Sequence, residues 1–305
     1  MGHFPMHRIL DLARLRARHG AELQPRQVPR PGAVRARSVC VVSGKGGTGK
    51  SVVSGSLARL FARQGRTVLV DGDLGVGNAH ILQGVTPRGS LGDQLAGTRQ
   101  IAELVEPCGG GLDLVAGGSG LAGLANLGPV ELARLGDGLS ELERDYGYLI
   151  LDCGAGISAS TLAFARAADL VLVVTTTDLT ALTDAYALLK VLGLPRQGPA
   201  AQLLVNRAPN EVVARAVHER IDGVARRFLG RGPALLGWCP EDPQVVESVN
   251  NREPLVERSP TSPAARALAQ VAVDLREVLD TCHPRGVGRA LAAGVGPRSA
   301  KIARA

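Results

Sequence analysis

The sequence predicts an α/β protein whose doubly wound, mainly parallel sheet is covered by helices on both faces, giving three α/β/α layers. Three observations lead to this prediction. From residue 38 onward, short β-branched apolar runs alternate with longer segments of helical periodicity. The chain has 305 residues, 45% of them hydrophobic, so it can bury a full core. The first strand-like run leads directly into a glycine-rich turn and a helix, as in phosphate-binding sheets.

Each element is predicted from local pattern, in chain order. A short helix is expected at residues 7–19, where Ile9, Leu12 and Ala13 have helical spacing, followed by a Pro-containing linker. Strands are predicted at residues 37–43, 67–71, 112–116, 147–152, 169–175, 202–206 and 234–238. The clearest helices are predicted at residues 50–63, 130–145, 158–167, 180–192, 209–228 and 263–281.

The chain after Pro284 is rich in Gly and Ala, and we expect little regular structure there. We therefore divide the sequence into three segments. These are a basic N-terminal helix with its linker (1–36), an α/β domain (37–283) and a basic C-terminal tail (284–305).

The formal charge of +7 is unevenly distributed along the chain. Residues 1–38 carry +6 and residues 285–305 carry +5, which leaves −4 for the segment between them. The basic ends are either solvated tails or points of contact with anionic lipid, nucleic acid or an acidic partner. A mildly acidic body gives no sign of a basic face, so a nucleic-acid partner is not expected, whereas weak contact with an anionic membrane is.

Composition excludes several other classes of protein. The five cysteines are at least 43 positions apart, which excludes CxxC metal, cluster and redox motifs and predicts reduced, mostly buried thiols. Aromatic residues make up 3% of the chain, too few for base-stacking surfaces. The sequence contains no run of eighteen uncharged apolar residues and no signal-like apolar stretch in its Arg-rich first thirty. We therefore expect a cytoplasmic protein.

Residues 44–51, GKGGTGKS, match the phosphate-loop pattern G-x-x-x-x-G-K-[ST] and lie between a predicted strand and a predicted helix. Glycines let backbone N–H groups turn toward phosphate oxygens, and the helix N-terminus adds positive potential. Lys50 would reach the β- and γ-phosphates, and the Ser51 hydroxyl would ligate Mg²⁺. The predicted nucleotide-binding residues of the loop are Gly44, Lys45, Gly46, Gly47, Thr48, Gly49, Lys50 and Ser51.

Three aspartates follow strands at the edge where open α/β sheets bind their ligands. Asp71 and Asp73 end the second predicted strand, and Asp152 ends the fourth. Metal-bound water is a natural partner for Asp152, Asp71 would help to hold the magnesium shell, and Asp73 would orient the attacking water. Taken singly, each aspartate is more often a helix cap or turn residue, but beside the phosphate loop the functional interpretation is favoured.

These segments resemble the motifs of the MinD/ParA family of ATPases. SGKGGTGKS with its additional lysine at Lys45, DGDLGVGN and LDCGAGI are similar to the family's phosphate loop and two switches. Within the family, GGSG at 117–120, DCGAGIS at 152–158 and TDAYALLK at 183–190 resemble the flagellar number regulators of the FlhG/FleN group. The similarity extends over about residues 37–280.

The resemblance implies an ATPase that binds ATP and Mg²⁺, forms a homodimer on ATP binding and is reset by slow hydrolysis. It makes Lys45, Lys50 and Asp73 the catalytic residues, with Lys45 acting on the partner's nucleotide. It gives phosphate, magnesium, water and switch contacts to Lys50, Ser51, Asp71, Asp73, Asn78 and Asp152. It places Asn206, Arg207, Pro240, Glu241 and Asp242 on the adenine side.

The implied biological function is control of flagellar number or placement, and the alternative is a division-site or chromosome- or plasmid-positioning ATPase. The missing cysteine pairs disfavour a metal-cluster carrier on the same scaffold. Implied partners are the flagellar GTPase FlhF, flagellar switch components or a flagellar transcription regulator. The implied location is the cytoplasm, with peripheral contact at the inner face of the membrane or the cell pole.

Overall fold

The computed structural model describes residues 36–118, 127–193 and 199–293. All of them belong to one structural unit of the chain, which begins at Val34. The predicted helix at 7–19 and its linker, residues 119–120 of the GGSG segment and residues 294–305 of the tail lie outside the described ranges. The division into three segments stays a prediction.

The core of the molecule is an eight-stranded sheet. Its strands are β1 (Arg37–Val42), β2 (Thr67–Gly72), β3 (Val105–Gly109), β4 (Leu112–Val115), β5 (Tyr148–Cys153), β6 (Leu170–Thr175), β7 (Ala200–Val205) and β8 (Ala234–Trp238). Their order across the sheet is β3-β4-β2-β5-β1-β6-β7-β8. Every neighbouring pair is parallel except β3 with β4. The predicted fold class is therefore confirmed.

Helices cover both faces of this sheet. They are α1 (Lys50–Ala62), α2 (Ala79–Leu82), α3 (Leu91–Ala96), α4 (Pro129–Asp145), α5 (Ala159–Ala167), α6 (Leu179–Leu192), α7 (Glu211–Leu229), α8 (Pro243–Asn251), α9 (Leu255–Arg258), α10 (Pro263–Thr281) and α11 (Val287–Ala292), with a 3₁₀ turn at Ile101–Leu104. One core lies under α1, α9 and α10, and the other lies under α3 to α7 and α11. None of the helices in the described ranges is long and apolar enough to cross a membrane.

Burial on both faces explains the composition of the central strands. The side chains of β2 and β6 are buried along the whole strand, and those of β1 and β5 are buried after the first residue. Such strands have continuous Val, Ile and Leu runs instead of alternating apolar and polar residues. The parallel pairing of β2 with β5 sets Asp71 directly opposite Asp152 at the carboxyl ends of the two strands.

The edge strand β3 was not predicted from the sequence. It contains Pro107 and pairs only with β4, with a register shift between Pro107 and Gly109. Proline cannot donate to a ladder, and sheets therefore tolerate it mainly at edges and bulges. Pro107 thus explains why the strand was not predicted, and it is compatible with the position of β3 at the edge of the sheet.

The chain after Pro284 differs from our expectation, because Val287–Ala292 forms the helix α11. Val287 and Leu291 are buried, and the Glu143 carboxylate of α4 accepts hydrogen bonds from the backbone N–H groups of Val287 and Gly288. A Cβ on Gly136 of α4 would lie 2.5 Å from the Gly288 carbonyl oxygen. The glycines that suggested irregular chain instead let two helices approach closely, and a carboxylate at the helix N-terminus stabilises the contact.

Candidate functional site

The phosphate loop lies at the carboxyl edge of the sheet, between β1 and α1, as predicted. Gly47 and Gly49 have φ values of 79° and 85°, in the left-handed region that favours glycine. Gly49 is also the N-cap of α1 and provides no side-chain cap, so the first N–H groups of the helix are not bonded by a capping side chain. Such groups bind anions at helix N-termini.

The loop is held from both sides. A Cβ on Gly44 would lie 2.2 Å from the backbone carbonyl carbon of Asp184, so the loop rests directly on the backbone of α6. On the other side, Asn206 Nδ2 donates a 2.8 Å hydrogen bond to the Thr48 carbonyl oxygen. A Cβ on Gly49 would lie 2.3 Å from that same Nδ2. The end of β7 therefore fixes the loop, which the sequence did not reveal.

Lys50 and Asp152 form a buried ion pair, with 2.7 Å between Nζ and Oδ1. Burial by itself would lower the pKa of Lys50, but the charges of Asp152 and, to a smaller extent, its neighbours Cys153 and Asp71 raise it overall. Lys50 Nζ also lies 3.3 Å from the Ser51 hydroxyl oxygen. The structure thus brings together the predicted phosphate-binding lysine and two of the predicted magnesium ligands.

Asp71 lies beside this pair and is almost completely buried. Its Oδ1 accepts a hydrogen bond from the Asp73 N–H and its Oδ2 accepts one from the Ala79 N–H, both at 3.0 Å. Burial and the charge of Asp152 raise the pKa of Asp71 to about 7, although these hydrogen bonds lower it. The two facing carboxyl groups therefore differ, because Asp152 forms the ion pair with Lys50 and Asp71 is bonded to backbone N–H groups.

Asp73 is half-buried at the start of the loop that follows β2. Its Oδ1 accepts hydrogen bonds from the N–H groups of Gly75 and Val76, at 3.1 and 3.2 Å. The backbone of the loop thereby fixes one oxygen of the carboxylate predicted to orient water. Asn78, predicted to make a switch contact, is exposed and its side chain does not cap α2.

Lys45 is exposed, and its Nζ donates a 2.9 Å hydrogen bond to Thr180 Oγ1 in the first turn of α6. An exposed lysine on a surface hydroxyl is free to exchange that contact for another. Sequence reasoning missed Thr180. The signal that could have found it is its place just after β6, at the edge of the sheet that carries the other site residues.

The predicted adenine-side residues follow β7 and β8 at the same edge. Arg207 is exposed and has a φ of 53°, unusual for a residue other than glycine. Glu241 is exposed and Pro240 is half-buried. A backbone hydrogen bond from the Ala208 N–H to the Cys239 carbonyl oxygen joins the two segments at 3.0 Å.

Asp242 has a structural function that the sequence did not indicate. Its Oδ1 accepts a hydrogen bond from the Gln244 N–H and its Oδ2 accepts one from the Ala264 N–H, both at 2.9 Å. One carboxylate therefore caps the N-termini of α8 and α10, and although burial opposes it, these hydrogen bonds lower its pKa. An adenine contact by Asp242 stays a prediction.

The residues at this edge suit a nucleotide with Mg²⁺. Thr48 Oγ1 is buried without a hydrogen-bond partner among the described residues. Within the same ranges, no group of three or more His, Cys, Asp and Glu side chains is placed to hold a metal ion. Mg²⁺ is usually held by one or two carboxylates together with substrate phosphates and water. Ser51, Asp71 and Asp152 would supply the protein's share of such a shell.

Comparisons with known proteins agree with this geometry. Residues 39–255 match the CobQ/CobB/MinD/ParA nucleotide binding domain. The chain is 33% identical over 249 residues to the antiactivator FleN of Pseudomonas aeruginosa, covering 81% of this chain and 89% of FleN. It is 32% identical over 249 residues to the flagellum site-determining protein YlxH of Helicobacter pylori, covering 80% of this chain and 83% of YlxH.

A solved structure has the same fold. The septum site-determining protein MinD of Pyrococcus horikoshii, determined in complex with Mg-ADP, superimposes with a TM-score of 0.68. The superposition covers 80% of this chain and 97% of the other, with 24% sequence identity. The observed layers and sheet are therefore those of this MinD structure.

Proposed function

The chain belongs to the CobQ/CobB/MinD/ParA nucleotide-binding family, and we propose that it is an ATPase switch that dimerises on binding ATP and Mg²⁺. Slow hydrolysis returns the dimer to monomers, and the change of state regulates the number or placement of flagella. The observation that carries the proposal is the phosphate loop with an exposed second lysine, Lys45, above the buried Lys50–Asp152 pair.

The Lys50–Asp152 pair supports nucleotide binding. In this pair, each side chain takes the place of the contact that its partner would make with phosphate or with metal-bound water. Lys50 Nζ would exchange the Asp152 carboxylate for phosphate oxygens, which frees that carboxylate to accept hydrogen bonds from metal-bound water. Bound Mg²⁺ would supply charge neutralisation between the phosphate oxygens. Asp73, with one oxygen held by its own loop, would orient the attacking water.

Exposed apolar residues support association of two copies through the carboxyl edge of the sheet. Val76, Ile157 and Leu179 follow β2, β5 and β6 and are 69%, 51% and 75% exposed. Large apolar side chains gathered at one edge mark an interaction surface. Lys45 also lies at this edge. When a second copy docks there, Lys45 of the first copy would reach the nucleotide bound to the second.

The flagellar function rests on similarity and on the TDAYALLK segment. FleN and YlxH are two relatives above 30% identity that share most of their length with this chain. YlxH is named as a flagellum site-determining protein, and FleN is named as an antiactivator and gives its name to the group of flagellar number regulators that the motifs resemble. Proposed partners are therefore FlhF, flagellar switch components or a flagellar transcription regulator. The proposed location is the cytoplasm with peripheral membrane contact at the cell pole.

Light scattering tests the switch. The Asp73→Ala variant, with hydrolysis blocked, should change from monomer to dimer when saturating Mg²⁺-ATP is added, and should stay monomeric with Mg²⁺-ADP. Lys50→Ala should stay monomeric with either nucleotide. A monomeric Asp73→Ala variant at saturating ATP would contradict the proposal.

A deletion strain of the source organism tests the biological function. Electron microscopy should show an altered number or position of flagella in cells with normal septa and normal DNA content. Normal flagella in cells with misplaced septa, or without DNA, would assign the protein to division or segregation instead.

A further inference from the structure

A shallow groove lies between the C-terminal half of α1 and the exposed side of α10, and its volume is about 190 Å³. Leu60 and Phe61 of α1 are at most 9% exposed and form one part of its apolar floor. The other part comes from Ala269, Ala272 and Val273 of α10. The small side chains of Ala269 and Ala272 leave space in the floor, into which a side chain of a partner could insert.

Two arginines stand over this floor, Arg63 beside α1 and Arg276 on α10. Among the described residues, no carboxylate lies within 4.0 Å of either guanidinium group. Arg63 makes a 3.2 Å hydrogen bond to the Val256 carbonyl oxygen. The nearby carboxylate of Glu257 is paired with Arg59 at 3.1 Å. Both groove arginines are thus available to an external anion.

The dimensions of the groove favour a protein partner. Small-molecule sites usually enclose about 300–1,000 Å³, so this groove is too small for most cofactors. It suits one or two apolar side chains of a docked helix or loop, which is how helix-in-groove recognition anchors a segment. Paired guanidinium groups beside the anchor match carboxylates, with which arginine forms bidentate hydrogen bonds.

We propose that the α1/α10 groove is a docking site for a protein segment that carries a bulky apolar anchor flanked by Asp or Glu. The site is separate from the nucleotide. Helix α1 begins at the phosphate loop with Lys50, and Leu60 and Phe61 of the groove floor lie about 15–17 Å further along the helix. We therefore expect the acidic segment to bind in the absence of ATP.

Fluorescence anisotropy with two labelled model peptides tests the proposal on the full chain. One is a 16-residue helix-forming peptide with a Leu and Phe face flanked by Glu, and in the other every Glu is replaced by Lys. The Glu peptide should bind, and added salt should weaken it. The double variant Arg63→Glu/Arg276→Glu should bind the Glu peptide at least tenfold more weakly and should gain affinity for the Lys peptide.

Two further variants separate the groove from general charge effects. Ala272→Trp should fill the floor and weaken binding of the Glu peptide, while fluorescent ATP still binds. Arg220→Glu removes an exposed arginine of α7 and should leave peptide binding unchanged. The midpoint of urea unfolding shows that each variant is folded.

Several outcomes would overturn the proposal. These are no binding of the Glu peptide at millimolar concentration, equal binding of both peptides, or peptide binding unaffected by Ala272→Trp. Phosphatidylglycerol vesicles that bind through the same two arginines and displace the peptide would make the groove a lipid site. Self-association abolished by Ala272→Trp would make it an interface with a second copy.

Discussion

Lys50 and Asp152 form an ion pair that is almost completely shielded from water, so its energy depends on both partners being present. Removing one partner of such a pair leaves an uncompensated buried charge, which costs about 3–5 kcal/mol. We expect Lys50→Met to lower the free energy of unfolding of the nucleotide-free protein by this amount. The double variant Lys50→Met/Asp152→Asn should regain most of the loss.

Urea unfolding of the two single variants and the double variant measures this coupling. Lys190→Met, which removes an exposed lysine of α6, is the control and should change the unfolding free energy by less than about 0.5 kcal/mol. Additive losses in the double variant would contradict the ion pair.

Asp71 makes stability depend on pH in a specific direction. Its pKa in the folded protein is about 7, raised from 3.8, so between these values the folded state binds a proton that the unfolded state has released. Its contribution to stability is present below about pH 4 and is lost as pH rises toward 7, at up to about 1.4 kcal/mol per pH unit.

Asp71→Asn should remove this part of the pH dependence. Urea unfolding of the wild type and the variant at pH 5 and pH 7.5 is the measurement. We expect the variant to lose less stability than the wild type between the two values. Identical pH dependence in both proteins would show that Asp71 is ionised throughout this range.

At single positions, the sequence reveals the contiguous part of the candidate site and does not reveal the contacts that depend on folding. The phosphate loop is contiguous, so its glycines and Lys50 were evident from spacing alone. The adenine contact of Asp242 stays a prediction, and the sequence did not indicate that its carboxylate caps two helices that begin 20 residues apart. The Thr180 contact of Lys45 joins residues 135 positions apart, a distance that no local pattern reports.

Among the helices, the close contact between α4 and α11 gives a prediction about glycine. In an exposed helix, replacing Gly by Ala stabilises by about 1 kcal/mol. At Gly136 a Cβ would meet the Gly288 carbonyl oxygen at 2.5 Å and the Ala292 nitrogen at 2.7 Å. We therefore expect Gly136→Ala to destabilise the protein by roughly 1–3 kcal/mol.

Gly223 of α7 is a matched control, because a Cβ there would meet nothing within 4 Å. Gly223→Ala should stabilise the protein by up to about 1 kcal/mol. Thermal unfolding of both variants measures the difference. Stabilisation by Gly136→Ala would mean that α11 does not pack against α4 in solution.

The long helices and seven of the eight strands in the described ranges were predicted close to their observed bounds, whereas the short helices and strand β3 were not predicted. The prediction of 263–281 coincides with the bounds of α10, a 19-residue amphipathic helix. Helix α11 has six residues and depends on Glu143, which is 144 positions from Val287 in sequence. Strand β3 depends on its pairing with β4. These elements form because of tertiary contacts, and the secondary-structure propensities of the residues do not reveal such contacts.

Across the whole molecule, ATP should stabilise the folded state because the unfolded chain does not bind it. At a concentration 100 times Kd, the gain is about 2.7 kcal/mol. Thermal shift with Mg²⁺-ATP should show this gain for the wild type. Lys45→Ala should retain it, since Lys45 is exposed and its Nζ donates a hydrogen bond to Thr180, whereas Lys50→Ala should lose most of it.

Lys45 thus provides a test of action on the partner's nucleotide. If the two lysine variants lost the ATP-dependent stabilisation equally, Lys45 would contact the nucleotide of its own chain. Turnover that stays at the wild-type rate in Lys45→Ala would also contradict a contribution of this lysine to hydrolysis.

The contact at Gly44 has a mechanical consequence. No side chain lies between the loop backbone and the backbone of α6 at Asp184, so the two segments have no soft layer through which one could move without the other. The phosphate loop and α6 are therefore expected to move together. A protein that binds the outer surface of α6 would therefore change how readily the loop opens. It would in this way change how long a nucleotide stays bound, without contacting the nucleotide itself.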